Sequence, residues 1–183
     1  KEKRLESSRE ATRKLADIPY LFGEIRQPEL DYLLVPKVSS ENRKYIPIGI
    51  MDKDDIASDS VFIVSNASLY HLGVLTSNVH MAWMRAFCGR LKSDYRYSIK
   101  VVYNNFPWCN PSKEDKELIE KTAQMILDAR NMYPECSLAE LYNELTMPKE
   151  LMKAHRENDK AVMKAYGFSV KNMTESECVT ALI

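Results

Sequence analysis

Glycine is scarce, with five in 183 residues. No two of them stand as G-x-G, which excludes a phosphate-cradling P-loop and a dinucleotide fingerprint, since both need closely spaced glycines where backbone meets phosphate. The cysteines Cys88, Cys109, Cys136 and Cys178 form no C-x-x-C pair. That spacing argues against a zinc framework or a dense disulfide scaffold, so reduced thiols are expected. The histidines His71, His80 and His155 lie apart with no H-E-x-x-H, and no G-x-S-x-G places an activated serine. No metal site and no catalytic residue is assigned. No run approaches the roughly 18 apolar residues that cross a bilayer, and the opening KEKRLESSREATRK lacks the apolar middle of a secretory signal. The expected setting is the cytoplasm, without a membrane partner.

Net charge is missing too, because 26 basic residues balance 26 acidic ones. The balance hides a local excess: between positions 85 and 100 lie Arg85, Arg90, Lys92, Arg96 and Lys100 against a single acid, Asp94. At 45% hydrophobic and 28% charged the chain has enough apolar material for one domain or two small ones. Residues 1–111 hold 16 basic and 13 acidic groups and residues 112–183 hold 10 and 13, a modest change of sign.

Residues 5–16 have helical composition without a strong apolar face, and Pro19 and Gly23 break the pattern, as in a connector. Tyr32–Val35, Tyr45–Ile50 and Val61–Val64 are short apolar or β-branched runs between chain breakers and predict strands. Pro36 and Pro47 each remove a ladder donor, so their strands lie at an edge or stop there. Leu69, Leu72, Leu75, Val79, Trp83 and Ala86 recur at helical spacing, predicting one or two helices across Gly73. Gly89 then suits a left-handed stop. Tyr97, Ile99, Val101 and Tyr103 alternate as in a strand. Beyond Pro111 the reading is helical: Ser112 with Asp115 starts a helix over about 113–133 along the stripe Ile119, Ala123, Ile126 and Tyr133. Ser137 with Glu140 and Thr174 with Glu177 are further capping boxes, and Pro148 opens a helix that runs to Tyr166 and stops at Gly167. The helix begun at Thr174 meets the chain end at Ile183, as expected of a truncated polypeptide. The fold class is α+β, a small mixed or antiparallel sheet with packed helices followed by an all-helical unit.

The chemistry concentrates in Lys92-Ser93-Asp94-Tyr95-Arg96. Lysine and arginine donate to guanine and aspartate accepts from cytosine in the major groove, so a donor and an acceptor two residues apart could read one base pair. An extended segment would put Lys92, Asp94 and Arg96 on one face and Ser93, Tyr95 and Tyr97 on the other. A solvated strand edge with a local ion pair has the same composition. Arg43 and Lys44 form a second basic loop of the kind that holds phosphates, although ordinary surface loops look alike. Asn104-Asn105-Phe106-Pro107-Trp108 resembles the catalytic tetrapeptide of amino-methyltransferases but has the wrong second residue, which favours an aromatic and proline clamp over catalysis.

Longer strings carry more. VSSENRKYIPIGI at 38–50, LTSNVHMAWMRAFCGRLKSDYRYS at 75–98, VYNNFPW at 102–108 and LTMPKELMKAHRENDKAVMKAYGFS at 145–169 closely resemble the MmeI-like (type IIL) family of restriction-modification DNA methyltransferases. The resemblance runs from about Ser8 to the C-terminus. It implies a DNA target recognition domain over 1–111, with 1–23 as connector from a methyltransferase core, and a C-terminal helical domain over 112–183. The parent would use S-adenosylmethionine to methylate adenine, with or without a fused endonuclease, while this fragment, not itself catalytic and holding no cofactor, would bind double-stranded DNA and the core of its own polypeptide. The family's variable base-reading positions fall on Lys92 and Asp94, a combination that resembles the guanine-reading class, with Arg96 close by. A second such position falls near Asp59 and Ser60. Arg43, Lys44, Arg85 and Arg90 would meet the DNA backbone. The alternative is an intramolecular scaffold with little DNA affinity of its own. Cys109 replaces the proline the family usually has after this tryptophan.

Overall fold

Short β-branched runs between chain breakers give short strands. In the computed structural model, which describes residues 1–21 and 26–183, these are β1 (Tyr32–Pro36), β2 (Val38–Ser39), β3 (Gly49–Met51), β4 (Val61–Val64), β5 (Gly89–Leu91) and β6 (Asp94–Arg96). They form two antiparallel three-stranded sheets, ordered β3-β1-β4 and β2-β6-β5. Pro36 is the last residue of the central strand β1, paired with Val61, so its missing N–H costs the ladder nothing. The expected strand over 45–50 is only its last part. Pro47 has no N–H to donate, and the Ile48 N–H turns back to the Ile46 carbonyl at 2.9 Å, so pairing begins at Gly49.

The connector expected over 1–23 contains α1 (Glu2–Leu5) and α2 (Glu10–Lys14), while Gly23 lies outside the described residues. Arg4 ties these turns together by donating to the carbonyls of Leu15, Ile18 and Leu21. The apolar stripe of 69–87 is two helices, α3 (Leu69–Leu75) and α4 (Asn78–Phe87). They break where Thr76 donates to the Leu72 carbonyl and Ser77 accepts from the His80 N–H as N-cap. Then come α5 (Lys113–Asn131), α6 (Leu138–Leu141), α7 (Lys149–Ala165) and α8 (Glu175–Leu182), with the cap residues read from the sequence at Ser112, Ser137 and Thr174. Gly167 leaves α7 at φ 70°.

Two local expectations fail for physical reasons. Cys88, extended at ψ 155°, ends α4, and Gly89 begins a strand instead of making a left-handed stop. Residues 99–103 are a π-helical turn, not a strand: Ser98 accepts from the Val101 N–H, and the Trp83 indole donates to the Val102 carbonyl at 3.0 Å. Among the described residues no strand pairs with this segment, so local capping and the buried indole take these backbone groups.

The core is one cluster drawing on both sides of residue 111, with Leu33, Ile48, Leu72 and Val79 packed together with Ile119, Ile126, Leu151 and Val162. Gly73 sets the distance between α3 and the helical unit. A Cβ there would stand 2.6 Å from Ile119 Cγ2 and 3.0 Å from Asn158 Oδ1, while the Asn158 amide donates to the Gly73 carbonyl at 2.7 Å. We expect Gly73→Ala to destabilise the protein by about 1–3 kcal/mol despite its helix propensity, because overpacking outweighs that gain. Urea denaturation checks it, and an unchanged midpoint would refute the close-approach account.

Candidate nucleic-acid interface

β5 and β6 form a two-residue hairpin with Leu91 opposite Asp94 and the turn at Lys92-Ser93. Lys92 takes φ 56°, a conformation that two-residue hairpins usually give to Gly, Asn or Asp. The expected single face for Lys92, Asp94 and Arg96 is therefore only partly found. Asp94 and Arg96 share the outer face of the sheet with Leu91, Gly89 and Val38, while Lys92 and Ser93 form the tip instead of joining a strand face. Lys92, Asp94 and Arg96 make no ion pair or side-chain hydrogen bond with described residues.

Beneath the tip everything is fixed. Tyr95 points inward and is buried, and Arg90 lies over its ring at 4.2 Å while donating to the Ser93 carbonyl at 2.8 Å. Tyr97 is buried with its hydroxyl 3.0 Å from His80 Nε2, and the His80 ring meets Phe106 edge-on at 4.6 Å. Burial pushes the His80 imidazole down to about 3 and the Tyr97 phenol up. Asn104–Trp108 belongs to this support: Phe106 is buried, Asn105 donates to the carbonyls of Lys100 and Val101, and the Pro107 carbonyl accepts from Tyr166.

Asp59 and Ser60, on the loop before β4, come to the same region through Lys37. The Lys37 N–H donates to the Ser60 carbonyl at 3.1 Å, its ammonium to the Asp59 carbonyl, and its own carbonyl accepts from the Tyr97 N–H at 2.8 Å. Residue reading missed Lys37, whose signal was a lone lysine between Pro36 and β2.

The basic residues expected at phosphates differ in freedom. Arg85 bonds to Glu175 and to the Lys44 carbonyl, both at 2.6 Å, and Arg90 is held at the hairpin with Glu41 at 3.5 Å. Lys44 is exposed, 5.4 Å over the Tyr45 ring, and Arg43 reaches the Ala139 carbonyl at 3.4 Å. Together with Tyr45, Tyr142, Glu144, Met147 and Met152, the 41–44 loop and Arg85 line an open cavity of about 500 Å³.

The loop and α4 are anchored on a buried carboxylate. Asp159 accepts from the Tyr45 hydroxyl at 2.6 Å and from the Asn78 N–H, the first of α4, at 2.7 Å. Burial pushes its carboxyl up to about 6, against the pull of those bonds and of Lys44 and Arg85. Beside it, Arg130 donates to the Tyr142 hydroxyl, which lies 2.6 Å from His155 Nε2, and burial holds the His155 imidazole well below its usual range.

The fold and site define an α+β module that presents an exposed polar hairpin on a helical support, the class of a recognition domain. Residues 1–110 match the family model for the MmeI target recognition domain and residues 111–183 that for the MmeI C-terminal domain; the chain belongs to the MmeI family. It is 43% identical over 166 residues to DNA methyltransferase A of Bacillus subtilis (strain 168), covering 91% of this chain and 19% of that protein. Among solved structures it is similar to the type IIL restriction-modification enzyme MmeI in complex with DNA, at TM-score 0.89 and 47% identity, over 99% of this chain and 24% of that one. The chain thus spans about a fifth to a quarter of the length of these relatives. Among the described residues no helix is long and apolar enough to cross a membrane.

The supporting histidine gives a pH dependence of definite sign. His80 is depressed in the folded state from 6.5 to about 3, so its stabilising contribution is complete above pH 6.5 and is lost as pH falls toward 3. Asp159, raised from 3.8 to about 6, acts oppositely, with stability falling as pH rises between those values. His80→Gln should remove about 2 kcal/mol of the stability change between pH 7 and 5. Urea titrations at both pH values test this, and an equal slope in parent and variant would refute it.

Proposed function

We propose that this chain is the sequence-reading module of a larger DNA adenine methyltransferase of a type II restriction-modification system, acting on double-stranded DNA in the cytoplasm. One observation carries the reading: Lys92 holds a backbone conformation better suited to glycine, at the tip of a braced hairpin, and neither it nor Asp94 or Arg96 has a side-chain partner among the described residues. A costly conformation kept for a free cation is accounted for by what the cation meets outside the chain.

Lys92 donates to guanine while Asp94 accepts from its paired cytosine, with Arg96 beside them on the hairpin. Asp59 and Ser60 form the second reading segment, on a loop that Lys37 holds through the main-chain carbonyl of Asp59. Arg43 and Lys44 meet phosphates; Arg85 and Arg90, bonded within the chain, reach them with their remaining donors. S-adenosylmethionine finds no cradle among these residues, since no G-x-G loop follows a strand and Asn104–Trp108 is engaged in packing. Methyl transfer is assigned to the remainder of the polypeptide, the catalytic core on which this module docks.

The engagement of Arg85 and Arg90 favours a second reading, a scaffold with little DNA affinity by itself. Fluorescence anisotropy of the isolated chain on duplex DNA at low salt separates the two. We expect binding that weakens steeply as salt rises; none at low salt would leave the scaffold role.

In the full-length enzyme, Lys92→Ala with Asp94→Ala should relax one base position, losing about 1–3 kcal/mol of discrimination. Methylated-site sequencing reads this directly, and an unchanged recognition sequence would overturn the assignment.

A further inference from the structure

Gly89 is a glycine for which the fold gives no reason. Its φ lies outside the left-handed region, and a Cβ built on it would meet only Arg96, at 3.8 Å and 3.9 Å, ordinary van der Waals distances. It is exposed, and it opens strand β5 opposite Arg96, where glycine costs backbone entropy and offers no cross-strand side-chain contact. Any small side chain would serve the sheet better.

Its neighbours indicate what it leaves room for. Across the sheet Val38, Arg96 and Gly89 stand in register on the outer face, and Leu91 and Asp94 form the next pair toward the tip. Val38 and Leu91 are 39% and 49% exposed, an apolar rim around a bare backbone. Arg96 stands on the central strand between Val38 and Gly89 and Lys92 at the tip, and these two cations, without side-chain partners among the described residues, suit a polyanion. The β5-β6 hairpin is a two-stranded ribbon of the kind the major groove of B-DNA admits, with the two residues of β2 at its edge, and apolar side chains there touch base methyl groups.

We infer that Gly89 is a close-approach site, where the duplex packs directly on the outer face of the β2-β6-β5 sheet, between Val38 and Leu91. The inference rests on the base-reading role of the hairpin and extends it from the tip to the sheet's outer face. A side chain at position 89 would hold the duplex off and lift Arg96 and Asp94 from the base edges together.

The test uses the full-length enzyme, with Gly89→Ala and Gly89→Leu, on a duplex carrying its recognition site. The expected result is a graded loss of affinity by anisotropy, small for alanine and at least about tenfold for leucine, as overpacking an interface produces. The melting temperature should stay level or rise for alanine, because the fold tolerates the Cβ. Lys92→Ala with Asp94→Ala is measured in parallel. If both Gly89 variants bind like the parent while the double variant relaxes specificity, close approach is overturned and the reading role stands. If the double variant also keeps its specificity, both fall. Should the leucine variant melt early, the alanine variant decides: unchanged melting with weaker binding supports close approach, and a lowered melting temperature with unchanged affinity overturns it.

Discussion

Two separate parts of the chain converge on the carboxylate of Asp159, buried in α7. One oxygen takes the Tyr45 hydroxyl from the basic loop and the other takes the first N–H of α4. A carboxylate at a helix N-terminus answers both an orphan donor and the positive end of the dipole. Burying it has a cost, seen in a carboxyl raised to about 6 even with two donors on it. Without it, the buried Tyr45 hydroxyl would lack an acceptor, at about 1–3 kcal/mol, and the part-buried Asn78 N–H would lose its own. Because α4 passes through Cys88 straight into β5, whatever fixes the start of α4 helps to fix the hairpin at its far end.

The second polar chain does the same for the loop's other end. Arg130 of α5 donates to the Ile48 carbonyl at 2.8 Å and to Tyr142, whose hydroxyl is then free to donate to a neutral His155. The Tyr45 ring stacks on that imidazole at 4.1 Å. Strands of two to five residues in sheets of three are marginal by themselves. Here their connecting segment is tethered to helices that follow residue 111. The composition change at 111/112 marks a change of structural class along the chain, while the hydrophobic core and both polar tethers run across it.

What could be read from the sequence was local. The capping residues Ser112, Ser137 and Thr174 announce helices because cap and helix are three residues apart, and Gly167 has the left-handed φ its position implies. Tyr97–Tyr103 misled because alternation is a strand signal only where another strand supplies partners; here Ser98 and the Trp83 indole took the backbone groups first. Lys92, Asp94 and Arg96 were legible as donors and acceptors, yet not as tip and face, since a hairpin turn falls inside an unbroken polar run. Lys37 was invisible because its meeting with Asp59 depends on Pro36 pairing with Val61 across the sheet.

The hairpin is where residue choice and fold preference part most clearly. Position 92 has a backbone suited to glycine and carries lysine, while position 89 has a backbone suited to any residue and carries glycine. Each choice lowers the stability of the isolated module, by roughly 0.5–2 kcal/mol. No side-chain contact of Lys92 among the described residues offsets its cost, and glycine has no side chain to make one. In water the free ends of Lys92, Asp94 and Arg96 cost nothing, because solvent satisfies them. On the proposed reading they would lose that solvent against a base edge, and a mismatched partner would leave a desolvated charge unanswered, so discrimination would come from the penalty as much as from the bond. That penalty is large only if the hairpin cannot shift to recover water. On that reading the buried layer of Tyr95, Tyr97, His80 and Phe106 underneath has a part in specificity, since its packing would withhold the slack through which a wrong base could be tolerated.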